Sequence, residues 1–117
     1  MWHLPETLRE FGDVGLDSLV LELIETFLSD TASRYERLEI AVADRDATTV
    51  KAEAHSMRGS ARQMGADALA DLCHSIETST SQMDWAEVVH QMNQVSMRFA
   101  DVRSAMSEYA MANQRTG

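Results

Sequence analysis

The sequence predicts an all-α fold, an antiparallel four-helix bundle with a short N-terminal capping helix. Three observations predict it. Apolar residues recur at alternating spacings of three and four through most of the chain, the period of a helix that buries one face. There is one proline in 117 residues, Pro5, and no run of alternating β-branched residues from which a strand would be built. Cap and turn signals divide the periodic stretch into four long segments, and short connections make successive helices antiparallel neighbours.

Residues 4–11 (LPETLREF) form a short helix, with Pro5 in the first turn where a missing N–H costs nothing. Gly12 and Gly15 break it, so residues 1–15 are an N-terminal cap segment. Asp17 is the N-cap of a long amphipathic helix reaching about Ala43. Its stripe is Val20, Ile24, Phe27, Thr31, Tyr35, Leu38 and Val42, widened by Leu16, Leu19, Leu23 and Leu28, as a helix with two neighbours requires. Asp46 caps the next helix, which runs to about Met64 with Gly65 at the left-handed position beyond its end. Asp67 starts a third segment carrying Leu69, Leu72, Cys73 and Ile76, and the polar run 78-TSTSQ-82 reads as a loop. Asp84 with Glu87 forms a capping box for the last helix. That helix carries Val88, Met92, Val95, Phe99, Val102, Met106 and Tyr109. The bundle spans residues 16–113, and residues 114–117 are a frayed tail. Met57, Met64, Met92 and Met106 lie on apolar stripes and are read as core filling.

The composition narrows the function classes. A net charge of −9 argues against nucleic acid, which draws on a surplus of Lys and Arg. There is no secretory leader, and no apolar run approaches the ~20 residues that span a bilayer. Cys73 stands alone, so no internal disulfide forms and a reducing, cytoplasmic setting is expected. The initial Met and the lack of a linker-like leader favour a free-standing protein. The four histidines show no metal-ligand spacing, and no phosphate-binding glycine loop follows a strand, so no cofactor of its own is expected.

One local feature runs against the acidic balance. Lys51, Arg58 and Arg62 fall within twelve residues around His55, opposed only by Glu53. On a helical wheel the core stripe of this segment is Val50, Ala54, Met57, Ala61 and Met64. His55 lies roughly 140° from that direction, Arg62 about 120°, Lys51 about 100°, Arg58 about 80° and Gly59 about 180°. The imidazole therefore points outward, among cations and beside a residue with no side chain. A mid-helix glycine costs about 1 kcal/mol relative to alanine. Close approach of another molecule would account for that cost, because glycine removes the obstructing Cβ. An inert surface histidine is the alternative, but it leaves Gly59 unexplained.

The stretch 54-AHSMRGSARQMGA-66 resembles the signature A-H-x-[LMI]-[KR]-G-[SA]-[SA]-x-x-x-G-[AL] of the histidine-containing phosphotransfer (HPt) domains of phosphorelays. DLCHSIE continues the match in the next helix, and residues 23–55 resemble the family's lead-in to its active helix. The last helix is similar by pattern only. The resemblance implies a stoichiometric phosphoryl carrier with no ATP-dependent kinase activity. His55 would take a phosphoryl group from a receiver-domain aspartate or a kinase and pass it to another receiver. Arg58 stands where the family usually has lysine, keeping the charge and adding a two-pronged donor suited to phosphate. Gly59 would admit the receiver's loops. Glu77 matches the position that orients the histidine, accepting from Nδ1–H and leaving the Nε2 lone pair for attack. His74 matches a histidine of chemotaxis-kinase phosphotransfer domains. The implied partners are a response-regulator receiver domain and a hybrid histidine kinase. Any divalent metal would be the receiver's, and the chain is expected to act as a monomer away from membranes. Two other readings stay open: a bundle that docks a receiver without carrying phosphate, and a structural bundle that dimerises through a helix face.

Overall fold

The computed structural model describes residues 2–114. Its helices are α1 (Glu6–Asp13), α2 (Asp17–Ala43), α3 (Ala47–Gln63), α4 (Asp67–Ser81) and α5 (Trp85–Gln114). Helices α2 to α5 close a ring in which α2 packs on α3, α3 on α4, α4 on α5 and α5 back on α2. The result is the four-helix bundle that the apolar periods predict. Helices α2 and α5, at 27 and 30 residues, are nearly twice as long as α3 and α4, at 17 and 15. They set the long dimension of 49 Å, close to the ~45 Å expected of thirty helical residues at 1.5 Å each.

The surplus length of α2 and α5 projects past the α3–α4 turn, and α1 with the segment before it covers that end. Leu8 is buried there, and Trp2, Leu4 and Phe11 pack against the core. Trp2 Nε1 donates to the carbonyl of Met64 at 2.6 Å, and its ring meets Tyr109 edge-on at 6.4 Å. Gly65 lies beneath this strap at φ +72°, where a Cβ would come within 2.9 Å of Pro5 Cγ.

The same device ends α1, α2, α3 and α4. A residue just past each helix takes a left-handed conformation: Gly15, Arg45, Gly65 and Met83. The next residue's N–H then reaches back five positions, as in Leu16 to Phe11 (2.8 Å), Asp46 to Ala41 (2.9 Å), Ala66 to Ala61 (2.8 Å) and Asp84 to Ser79 (3.0 Å). These are Schellman turns. Two of them use glycine and two hold a side chain in a conformation that costs L-residues about 1–2 kcal/mol.

The core matches most of the expected stripes. Val50, Ala54, Met57, Ala61 and Met64 of the α3 segment are buried, as are Leu69, Cys73 and Ile76 of α4 and Val88 to Met106 of the α5 stripe. Several boundaries differ from the sequence reading. Helix α1 starts after Pro5 and continues through Gly12 to Asp13; Gly15 alone ends it. Asp17 is the first residue of α2, not its cap, since Leu16 holds the cap position without any side-chain bond. Leu16 and Leu19 are exposed. Residues 78–81, read as loop, are the last turn of α4. There Thr78 and Thr80 send their hydroxyls to the carbonyls of His74 and Ile76, four residues back. Ser79 and Thr80 are buried against the bundle, so hydroxyl groups that favour turns in isolation are absorbed by the helix. Only half of the capping box forms. Asp84 accepts from the N–H of Glu87 at 3.2 Å, but its own N–H goes to Ser79 and Glu87 accepts from Gln91. Asp46 caps α3 as expected, accepting from Thr49 N at 3.2 Å. Of the expected frayed tail, Gln114 closes α5 and residues 115–117 lie outside the described residues.

Candidate functional site

Helices α3 and α4 run antiparallel, which brings Arg58 opposite His74 and Arg62 opposite Asp71. His55, three residues before Arg58, therefore comes alongside Glu77. Its ring points outward as the wheel predicts, with two thirds of the side chain exposed (66%). Arg58 and Glu77 lie deeper, at 27% and 18%. Together with His74 they make a compact group on the open α3–α4 face.

The geometry is specific. Arg58 Nη2 lies 3.0 Å from His55 Nδ1, and Arg58 Nη1 lies 2.7 Å from His74 Nδ1. Glu77 Oε1 is 3.4 Å from His55 Nδ1, beyond the usual span of a good hydrogen bond. Arg58 Nη1 is 3.2 Å from Glu77 Oε2. That contact is an ion pair by distance only, because Oε2 is buried and receives no aligned hydrogen bond. The sequence reading places Glu77 as the acceptor for Nδ1–H; here Glu77 stands beside the ring and Arg58 makes the aligned contact. His74 was missed as a partner of Arg58. Its signal was the pairing of positions 58 and 74, which exists only once α3 and α4 are packed.

Gly59 follows on the outer side. A Cβ built on it meets nothing within 4 Å, so the glycine answers no demand inside the molecule. The basic patch is thinner than the sequence suggests. Asp71 of α4 pairs with Arg62 at 3.1 Å. Glu53 turns to the other side of α3, between Arg34 and Arg37 of α2, at 3.1 Å from each. Lys51 is exposed and has no ion pair among the described residues. Beneath the group, Cys73 is fully buried. Burial first, then the negative charge of Glu77, pushes its thiol up to about 12, against a smaller opposing effect of Arg58. It is not a nucleophile at neutral pH.

Among the described residues no group of three or more His, Cys, Asp or Glu is placed to hold a metal ion. No described helix is long and apolar enough to cross a membrane.

Comparison with known proteins bears on this arrangement. Residues 22–108 match the family model described as Hpt domain. The structure is similar to histidine-containing phosphotransfer protein B (HptB) from Pseudomonas aeruginosa PAO1, with a TM-score of 0.84 and 28% identity over 94% of this chain and 96% of that one. It is also similar in fold to the maize histidine-containing phosphotransfer protein ZmHP2, at TM-score 0.80 and 18% identity over 93% and 90% of the two chains. A third similar fold is the HPT domain of a sensor hybrid histidine kinase from Shewanella, at TM-score 0.71 and 17% identity over 92% of each chain. No curated protein sequence matches the chain.

Proposed function

From the premise that this chain belongs to the Hpt family, and is a histidine phosphotransfer protein of phosphorelays, we propose that His55 is the residue that carries the phosphoryl group. The observation that supports this most is the placement of one imidazole, two-thirds exposed, beside a guanidinium and an unobstructed stretch of backbone at Gly59. A receiver-domain aspartyl phosphate can approach such a ring without first displacing protein atoms.

Transfer needs in-line placement and charge stabilisation more than elaborate covalent chemistry. With the proton on Nδ1, the Nε2 lone pair attacks phosphorus, the P–O bond of the aspartyl phosphate breaks and the aspartate leaves as a carboxylate. The ring, now substituted on both nitrogens, is cationic, and Glu77 lies beside it to offset that charge. Arg58 is within reach of the phosphoryl oxygens, where a charged hydrogen bond contributes roughly 1.5–3 kcal/mol. Gly59 leaves room for the receiver's loops. A divalent metal, where the reaction uses one, belongs to the receiver. Family members act as phosphocarriers for receiver domains and histidine kinases. For this chain we extend that to exchange with a receiver or a hybrid histidine kinase, without ATP-dependent activity of its own, as a cytoplasmic monomer.

The test is chemical. Incubation with a phosphorylated receiver domain should give an acid-labile, alkali-stable phosphoryl group. That group should be absent in His55→Gln, whose circular dichroism remains helical. Receiver binding without any transfer would instead favour a docking module.

A further inference from the structure

The unequal helix lengths leave a cleft at the capped end of the bundle. Helix α4 starts at Asp67, while α5 runs on past it to Gln114. The strap before α1 covers this step only in part. What remains is a cleft of about 360 Å³ between Trp2, the first turn of α4 and one face of α5, inside the ~300–1,000 Å³ range of small-ligand sites. None of His55, Arg58, His74 and Glu77 lines it. Small residues hold the space open: Gly65, Ala66 and Ala105 contribute little volume where two helices and the strap meet. Leu69 and Val102, both buried, form the floor.

The walls select a class of ligand. The indole of Trp2 spends its one N–H on the carbonyl of Met64 at 2.6 Å. It offers the cleft only ring surface, which attracts apolar groups and cations. The rim carries three carboxylates, Asp67, Asp101 and Glu108, against one guanidinium, Arg98. Arg98 reaches Asp101 at 3.9 Å, the outer limit of an ion pair. Asp67 and Glu108 have no ion pair among the described residues. A helix start with no side-chain cap would ordinarily attract an anion. Here Asp67 already places negative charge in that turn, and the two acids of α5 repel more. We propose that this cleft binds a small organic cation, a primary amine joined to a flat apolar ring. The ring lies between Trp2 and the floor of Leu69 and Val102, and the ammonium meets the acidic rim. The site stands apart from the His55 group and does not rest on the phosphoryl-carrier reading.

The probe is 2-phenylethylamine, compared with two analogues of similar shape, the neutral 2-phenylethanol and the anionic 3-phenylpropionate. Each is titrated into the full chain at about pH 7, where an alkyl amine is protonated, and followed by 1H–15N correlation. The amine should shift the amide signals of residues 66–69 and 102–108 and the indole N–H of Trp2. The shifts should saturate in the high micromolar to millimolar range expected of so small a ligand. The alcohol should bind roughly tenfold more weakly, and the acid more weakly still. Asp101→Asn combined with Glu108→Gln removes two rim charges from exposed positions of α5, and should weaken the amine by roughly tenfold. Ala105→Leu fills the cleft and should abolish binding. Unchanged amide signals away from the cleft check that each variant is folded. No saturable shift at the cleft signals would overturn the proposal, leaving only a water-filled gap between helices of unequal length. Equal affinity for the alcohol or the acid would overturn it too, as would undiminished affinity in either variant. Phosphoryl uptake on His55 is not the readout, so failure here leaves the carrier reading standing.

Discussion

Gly59 and Cys73 show how differently two residues near one site can be constrained. A Cβ at position 59 meets open space, and alanine is the better helix former by about 1 kcal/mol. Gly59→Ala should therefore raise the midpoint of thermal unfolding. Gly59→Leu should leave the helix intact yet slow phosphoryl transfer from a receiver, with the loss appearing in stopped-flow or gel-based transfer rates. Unchanged transfer in Gly59→Leu would remove the close-approach explanation. Cys73 is held from the other direction. Its thiol is pushed from 9.0 up to about 12 in the folded chain. Below pH 9 folded and unfolded chains both keep the proton, and stability does not depend on it. Between pH 9 and 12 the unfolded chain releases its proton first, so stability falls as pH rises through that window. Denaturant titrations at pH 8 and pH 10.5 should show the fall, and Cys73→Ser or Cys73→Ala should remove this part of the slope. In the folded chain at pH 8 the buried thiol should resist alkylation, becoming reactive only in denaturant.

Among the elements, the helix ends carry information that the apolar pattern lacks. All four Schellman turns need a left-handed residue, and glycine at positions 15 and 65 signals two of them in advance. Arg45 at φ 55° and Met83 at φ 57° give no such signal. Met83 is exposed, so Met83→Gly removes backbone strain with little lost burial. It should stabilise the fold by about 0.5–1 kcal/mol, read as a higher denaturant midpoint at constant slope. Arg45 differs because its guanidinium lies 5.5 Å over the ring of Trp85, and replacing it forfeits that contact. The run TSTSQ was misread for a related reason. Ser and Thr favour turns when their hydroxyls compete for backbone groups, but the helix continues here, with Ser79 and Thr80 buried against the bundle and the hydroxyls of exposed Thr78 and buried Thr80 bonded to the preceding turn of α4.

For the molecule as a whole, the packed core and the proposed site lie in separate layers. The α2–α5 ring encloses a continuous core, and the His55 group sits on the outer α3–α4 face. Leu38 is fully buried in that core. Leu38→Ala should cost about 2–4 kcal/mol, a drop of roughly 10 °C or more in Tm. Phosphoryl uptake per folded molecule, assayed well below the new midpoint, should stay near the wild-type level. The unequal helix lengths also matter here. Short α3 and α4 leave the ends of α2 and α5 overhanging, and α1 covers the overhang without approaching His55 closely enough to bond it.

How much was legible beforehand follows from the range over which each force acts. Helix existence, the buried stripes, the cap at Asp46, the turn at Gly65 and the outward aim of His55 all depend on residues within a turn or two, and a helical wheel reads them directly. The run AHSMRGSARQMGA carried the family resemblance for the same reason. What only packing decided is the company that the ring keeps: His74 on the far arm of Arg58, Asp71 on Arg62, Glu53 drawn away by Arg34 and Arg37, and Glu77 short of a donor. Those pairings join residues 9 to 19 positions apart. Their choice rests on the register and rotation of one helix against another, which the interlocking of buried side chains sets and no local period encodes.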